Sequence, residues 1–443
     1  MTDAPAPALR RLRLADASEA ERRALTDRAS TATPDIRAKA RGIVDSVRTG
    51  GDAALRAANE RFGGGLTEPA EAPALRIPAQ DLRAARDRLP TELRDGLEQM
   101  ARNIEAFHAI EVPPPAQWVE TEPGVEVGRV WRGLDRVAAY VPGGTAAYPS
   151  SLLMSAIPAR LAGVGRFVVA SPAGAGGELS PALLGAAGLM AVDEFWVMGG
   201  AQAVGALAYG TESIGRVDKI VGPGNAWVTA AKLEVLDSCA IDMPAGPTEV
   251  MVVADDSADP VHVAADLLSQ AEHGPDSPAL LVTPSEALAD RVEAELARQL
   301  PTLLRRDTLA ASLRAAGTIV ITADIDEALA FADEHAPEHL SCVVADEDAA
   351  LAGLSHAGSL FLGPYAPESA GDYAAGSNHV LPTAGAGRAY SPLGVESFGR
   401  WMQVNRISRD GLRRILPAVA AVAEAEGLTA HRRAVEIRFE DPA

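Results

Sequence analysis

Short runs of β-branched and aromatic residues, each followed by a glycine turn and then a helical stretch, recur along most of this chain. No other feature constrains its fold as much. Phe167-Val-Val-Ala170 and Phe195-Trp-Val-Met198 are examples, and Ser341-Cys-Val-Val-Ala345 is a later one. Strands this short and this apolar need cover from alternating helices, so the pattern predicts an α/β fold. With 443 residues, 47% of them hydrophobic, the chain can supply cores for two or three domains.

The alternation is not uniform. The first hundred or so residues are charged and show helix-like spacing of Ala, Leu and Ile across 37–61, 79–89 and 91–106. Strand, glycine turn and helix recur most densely between Tyr140 and Pro247, which reads as an inserted α/β domain. From Thr248 the alternation resumes to about residue 385. Beyond Gly385-Ala-Gly387 the chain, through Trp401 and a helix over 411–426, reads as an extension. The expected organisation is a helical N-terminal region (1–50), a first α/β domain in two pieces (51–139 and 248–385), an inserted α/β domain (140–247) and a C-terminal extension (386–443). No low-complexity linker or short-period repeat interrupts it.

Charge and cysteine usage bound the function. A formal net charge of -20 repels a nucleic-acid backbone and favours a small organic cation as partner. Two cysteines, Cys239 and Cys342, are too few for a disulfide framework and fit a reducing, cytoplasmic setting. No run of about 18 uncharged apolar residues is present, so no spanning helix is expected. The start, Met1-Thr-Asp-Ala-Pro5, does not read as a signal peptide.

Four segments concentrate the chemistry. Leu267-Leu-Ser-Gln-Ala-Glu-His-Gly-Pro-Asp-Ser277 sets Gln270 and His273 three apart, on one face of a helix that Gly274-Pro275 ends. An oxygen and a nitrogen donor at a helix rim suit a metal; a histidine drawn there by the helix dipole is the other reading. His335-Ala-Pro-Glu-His-Leu340 carries two imidazoles and a carboxylate. Gly371-Asp-Tyr-Ala-Ala-Gly-Ser-Asn-His-Val-Leu-Pro-Thr383 holds Asp372 and His379, and Glu426-Gly-Leu-Thr-Ala-His431 adds another carboxylate and imidazole. Five of the eight histidines fall in these segments, which scatter does not explain. Cys342, three residues after His339, invites comparison with a nucleophile and its base, but its apolar surroundings read as a buried inert thiol.

Glycine turns between strand and helix direct backbone N–H groups towards phosphate. Tyr140-Val-Pro-Gly-Gly144, Gly199-Gly-Ala-Gln202 and Gly222-Pro-Gly-Asn225 each follow a strand-like run. None has the G-x-G-x-x-G spacing and no acidic ribose partner stands at the expected distance, so each also reads as an ordinary tight turn.

Together with Ile241-Asp-Met-Pro-Ala-Gly-Pro-Thr-Glu-Val250, these segments resemble histidinol dehydrogenase, in the family's order from about residue 30 to the C-terminus. The resemblance implies two Rossmann-like α/β domains, one inserted in the other, with a C-terminal extension exchanged in a homodimer. It implies NAD-dependent four-electron oxidation of L-histidinol to L-histidine through L-histidinal, the last steps of histidine biosynthesis, with one zinc ion per subunit holding the substrate. By position, Gln270, His273, Asp372 and His431 match the zinc ligands, Glu338 and His339 the catalytic bases, and Tyr140, Gln202 and Asn225 the NAD contacts. Thr248 and Glu426 match substrate-contacting positions, completing a substrate site with Gln270, His273, His339, Asp372 and His431. Thr248 departs from the family's usual Ser; the hydroxyl is kept and a methyl is added towards the pocket. His335 reads as a spectator and His379 as a further pocket residue.

Residue chemistry fits these roles. Imidazole titrates near neutrality, as a base taking the alcohol proton requires, and an adjacent carboxylate can activate the water that must add to an aldehyde. Local sequence alone leaves other readings: Glu338 as an exposed acid after Pro337, Asp372 in an Asx turn, His431 on a helix surface. Two further functions stay open. One is a zinc-dependent dehydrogenase of another small alcohol such as a sulfonated diol, which Glu426 would repel. The other is a non-catalytic zinc-binding protein, against which the intact Glu338-His339 pair argues.

Overall fold

Two six-stranded sheets covered by helices hold a seam between them. The structure is a computed structural model that describes residues 9–28, 32–65, 75–143, 148–174 and 177–440. Strands β1 (Arg10–Arg13), β10 (Val250–Ala254), β11 (Ala279–Thr283), β12 (Gly317–Ile321), β13 (His339–Val343) and β14 (Ser359–Leu362) form one sheet. Its order is β1-β12-β11-β10-β13-β14 and every pairing is parallel. Strands β2 (Arg76–Ile77), β5 (Arg136–Tyr140), β6 (Arg166–Ser171), β7 (Glu194–Val197), β8 (Lys219–Val221) and β9 (Ala240–Ile241) form the other. There the order is β2-β7-β6-β5-β8-β9, parallel except for β2.

Both sheets are doubly wound. A central strand (β10 or β5) is followed by two strands stepping to one side and then two to the other. Every residue of β10 to β13 is buried, as strands covered on both faces must be. Val252, Leu281 and Ile319 pack on one face of that sheet; Met251, Leu280 and Val320 pack on the other.

A third, antiparallel sheet joins β3 (Ala116–Glu122), β4 (Val125–Gly133) and β15 (Gly399–Ile407), with β15 paired to β4 along its whole length. It ties the start of the C-terminal segment back to its own chain. The helices Arg409–Ala425 and Thr429–Glu436 beyond it bury only Gly411 and Ala423. No helix among the described residues is long and apolar enough to cross a membrane.

Strand pairing redraws the expected organisation. Residues 51–139, expected with 248–385, instead supply β2 and β5 to the other sheet. The helices Pro34–Phe62 and Ala79–Asp87 pack on Gly200–Tyr209 and Pro181–Leu189 of that same sheet's cover. From the N-terminal region, β1 joins the first sheet at its edge. A charged amphipathic helix displays its apolar stripe in sequence but not which sheet that stripe will cover.

Candidate active site

The two sheets meet the seam with opposite ends. The β5–β6–β8 sheet offers the carboxyl ends of its strands: Tyr140 closes β5, Gly222 to Asn225 follow β8, and Met243 to Thr248 follow β9. The other offers amino ends, with Glu249 just before β10 and His339 opening β13. A cavity of about 270 Å³ lies between, lined by Asn225, Thr248, His273, Glu338, His339 and Asp372 among others.

Glu338 and His339 are 5% and 3% exposed. The helix Ile325–His335 ends on Ala336 in the left-handed conformation (φ 51°), and Pro337 then turns the chain into β13. Glu338 Oε2 accepts the Glu249 N–H at 2.9 Å and lies 3.6 Å from His339 Nδ1. His339 Nδ1 is 3.1 Å from the Glu249 carbonyl, which can only accept, so Nδ1 carries the proton and Nε2 faces Asp372 Oδ1 at 3.6 Å. Burial pushes Glu338 up to about 7, against the pull of His339 and the Thr248 hydroxyl. Burial alone would depress His339; Glu338, Glu368 and Asp372 outweigh it and push the imidazole up to about 10.

The donor set fits a cation. Gln270 is fully buried, yet among the described residues neither of its amide atoms has a partner. Ligand atoms of His273, Glu368 and Asp372 lie within 4.8 Å of one another. The helix of Gln270 packs on the helix of Glu368 and Asp372, and an unpartnered buried amide three residues before His273 suits a zinc-type site with mixed oxygen and nitrogen donors. The helix carrying Gln270 stops at Ala271, and His273 sits in the turn beyond it, its N–H donated to the Gln270 carbonyl at 3.1 Å. That differs from the expected shared helical face: Gly274 takes no left-handed cap, and a tighter turn closes the helix early.

His431 and Glu426 are not brought here by their own chain. Both are exposed on the C-terminal helices and line none of the cavities at the seam. His379 is tethered beneath Asp372, with Nδ1 3.0 Å from the Asp372 carbonyl and Nε2 2.9 Å from Ser151 Oγ. His335 is buried away from these cavities, and burial pushes both thiols, Cys239 and Cys342, up to about 12. Glu368 escaped the sequence reading. It is 2% exposed, 3.6 Å from His339 Nδ1, and burial pushes it up to about 8. Its spacing of four from Asp372 on the short helix Glu368–Tyr373 was the available signal.

Tyr140, Gln202 and Asn225 line a second cavity, of about 420 Å³, with Gly143, Gly199 and Gly200. Gly144 lies outside the described residues. Tyr140 Oη accepts the Gly200 N–H at 3.2 Å, and Gln202 Nε2 donates to Asn59 Oδ1 at 3.1 Å. Asn225 caps the helix Ala226–Glu234, its Oδ1 accepting the N–H groups of Trp227 and Val228 at 3.1 and 3.2 Å. Asn225 borders both cavities, so the second opens beside the first.

Comparison with known proteins agrees with this fold. The family model described as histidinol dehydrogenase matches residues 26–439. Histidinol dehydrogenase of Vibrio parahaemolyticus is 45% identical over 96% of this chain and 96% of its own. That of Methanosarcina barkeri is 42% identical over 96% and 97%. The crystal structure of histidinol dehydrogenase from Elizabethkingia anophelis superposes with a TM-score of 0.90 at 36% identity, covering 97% of this chain and 98% of that one. The α/β architecture and the seam that gathers Glu338, His339, His273 and Asp372 thus stand in a chain that belongs to the histidinol dehydrogenase family.

Proposed function

We propose that this seam oxidises L-histidinol to L-histidine through L-histidinal, passing two hydrides to NAD, with one zinc ion per subunit, in a cytoplasmic homodimer whose C-terminal extensions are exchanged. The observation that best supports it is the meeting of His339 and Glu338 with His273 and Asp372 in one cavity, beside the cavity of Tyr140, Gln202 and Asn225. Zinc held by Gln270, His273, Asp372 and, through the exchanged extension, His431 would anchor the substrate's imidazole and amine, while NAD would take up hydride.

The chain's own residues do the proton work. His339 Nε2 faces the cavity and takes the alcohol proton, while its Nδ1–H stays on the Glu249 carbonyl and keeps the ring oriented. A cation among the His273, Glu368 and Asp372 ligand atoms would offset two of the three carboxylates, Glu338 being the third, that hold a proton on that imidazole. Glu338, adjacent and buried, takes a proton from the water that adds to the aldehyde, with the Thr248 hydroxyl fixing its carboxylate. Glu426, carried in with His431, pairs with the substrate's cationic end. Enzyme supplied with L-histidinol and NAD should form two NADH per substrate consumed. A ratio of one, or no NADH, would overturn this reading.

A further inference from the structure

Neighbouring residues of a strand point to opposite faces, so two adjacent side chains entering one cavity need something to hold them there. Glu249 does so at the mouth of β13. Its N–H donates to Glu338 Oε2 at 2.9 Å. Its carbonyl accepts from the His339 N–H at 3.3 Å and from Nδ1 at 3.1 Å. Its Oε1 accepts the N–H groups of Glu338 and Ala384 at 3.3 and 3.0 Å. The remaining oxygen, Oε2, is ion-paired with Arg28, 221 residues earlier in the chain.

Arg28 grips the other side of the same turn. Its second guanidinium nitrogen donates to the His335 carbonyl and reaches the Ala336 carbonyl at 3.4 Å, where the chain leaves its helix for Pro337 and Glu338. Glu249 is 3% exposed and the Arg28 side chain 13%, so the pair is largely shielded from water. A carboxylate buried beside Glu338 needs a charge partner to hold it in place. The planar fork, able to reach a carboxylate and a carbonyl at once, suits Arg better than Lys.

We infer that Arg28 is a positioning residue for the oxidation: by clamping Glu249 to the His335–Ala336 turn, it fixes the backbone that aims Glu338 and His339. This rests on those two residues being the bases. Misplacing catalytic groups by about an ångström costs roughly 100-fold, so Arg28→Met should lower kcat for both histidinol and supplied histidinal by roughly 10- to 100-fold. KM for histidinol and NAD should stay within about threefold, with zinc content and melting temperature recorded on the same zinc-loaded preparation. Arg28→Lys, which keeps the ion pair but not the fork, should recover part of kcat.

A kcat for Arg28→Met within about twofold of wild type, or a loss fully accounted for by lost zinc or unfolded protein, would overturn the inference. If Arg28→Met does not fold, Glu249→Gln carries the same test, since its amide oxygen still accepts the Glu338 and Ala384 N–H groups while the ion pair is gone. Wild-type enzyme inactive on histidinol would instead count against the proposed function, and that control is read first.

Discussion

At Glu338 two influences compete: burial raises the carboxyl towards neutrality, and the Glu249 N–H, His339 and Thr248 favour its charged form. The result, about 7, is where a carboxylate can exchange a proton with water at working pH. Because water is required only after the aldehyde forms, Glu338→Gln should slow oxidation of supplied histidinal by roughly 100-fold or more. The alcohol step should suffer no more than this, whereas His339→Asn should slow it directly. Stopped-flow NADH traces with each substrate check both, and unchanged histidinal oxidation would remove Glu338 from its role. His273→Ala should lose bound zinc and activity together, and chelation followed by added zinc should restore the wild type, as metal analysis beside rate measurement will show. Glu338 and His339 stood out in sequence as candidates because His335 to Leu340 packs two imidazoles and a carboxylate into six residues, and the resemblance supplied their proposed roles. Glu368 did not, since like charges four apart ordinarily mark a strained exposed helix face, whereas here both point into the seam.

Among elements, the helix Ala226–Glu234 shows how one side chain serves fold and pocket together. Asn225 Oδ1 is spent on the first turn, which leaves its amide nitrogen for the cavity. Asn225→Asp keeps the capping oxygen but replaces the donor with a negative charge. It should preserve the melting temperature and raise KM for NAD by about tenfold, the effect of roughly one lost charged or polar contact. Asn225→Ala should lose both, at about 1 kcal/mol of stability. Thermal melts beside NAD titrations separate the two, and an equal fall in stability for both variants would contradict the cap. The strand-turn-helix recurrence made these elements readable from sequence, as buried strands and capped helices leave local marks. Helix ends were less so: nothing near Gly274-Pro275 announces that the helix stops at Ala271.

For the whole molecule, the C-terminal segment leaves Val422, Leu428 and Ile437 half exposed, and Glu426 and His431 line none of the cavities at the seam. If extensions are exchanged, Asp372→Ala and His431→Ala, each inactive, should complement when unfolded and refolded together. A hybrid dimer then gathers both defects in one site and none in the other, so about a quarter of wild-type activity should return. No recovery, with hybrids confirmed by native mass measurement, would mean each site is built from one chain. The opposed ends that the two sheets present to the seam have an electrical consequence. Helices leaving carboxyl strand ends begin there, so Gly200–Tyr209 and Ala226–Glu234 turn positive peptide poles on the cavity of Tyr140 and Gln202. Helices entering amino strand ends finish there: Pro260–Ala271 turns its negative pole towards the His273 and Asp372 side of the seam, while Arg28 caps the carbonyls that close Ile325–His335. No Lys or Arg lines that cavity of Tyr140 and Gln202 among the described residues, so the phosphates of the proposed dinucleotide would find their counter-charge in peptide poles. At the other end a negative pole would favour the cationic amino alcohol of the proposed reaction over a sulfonated diol.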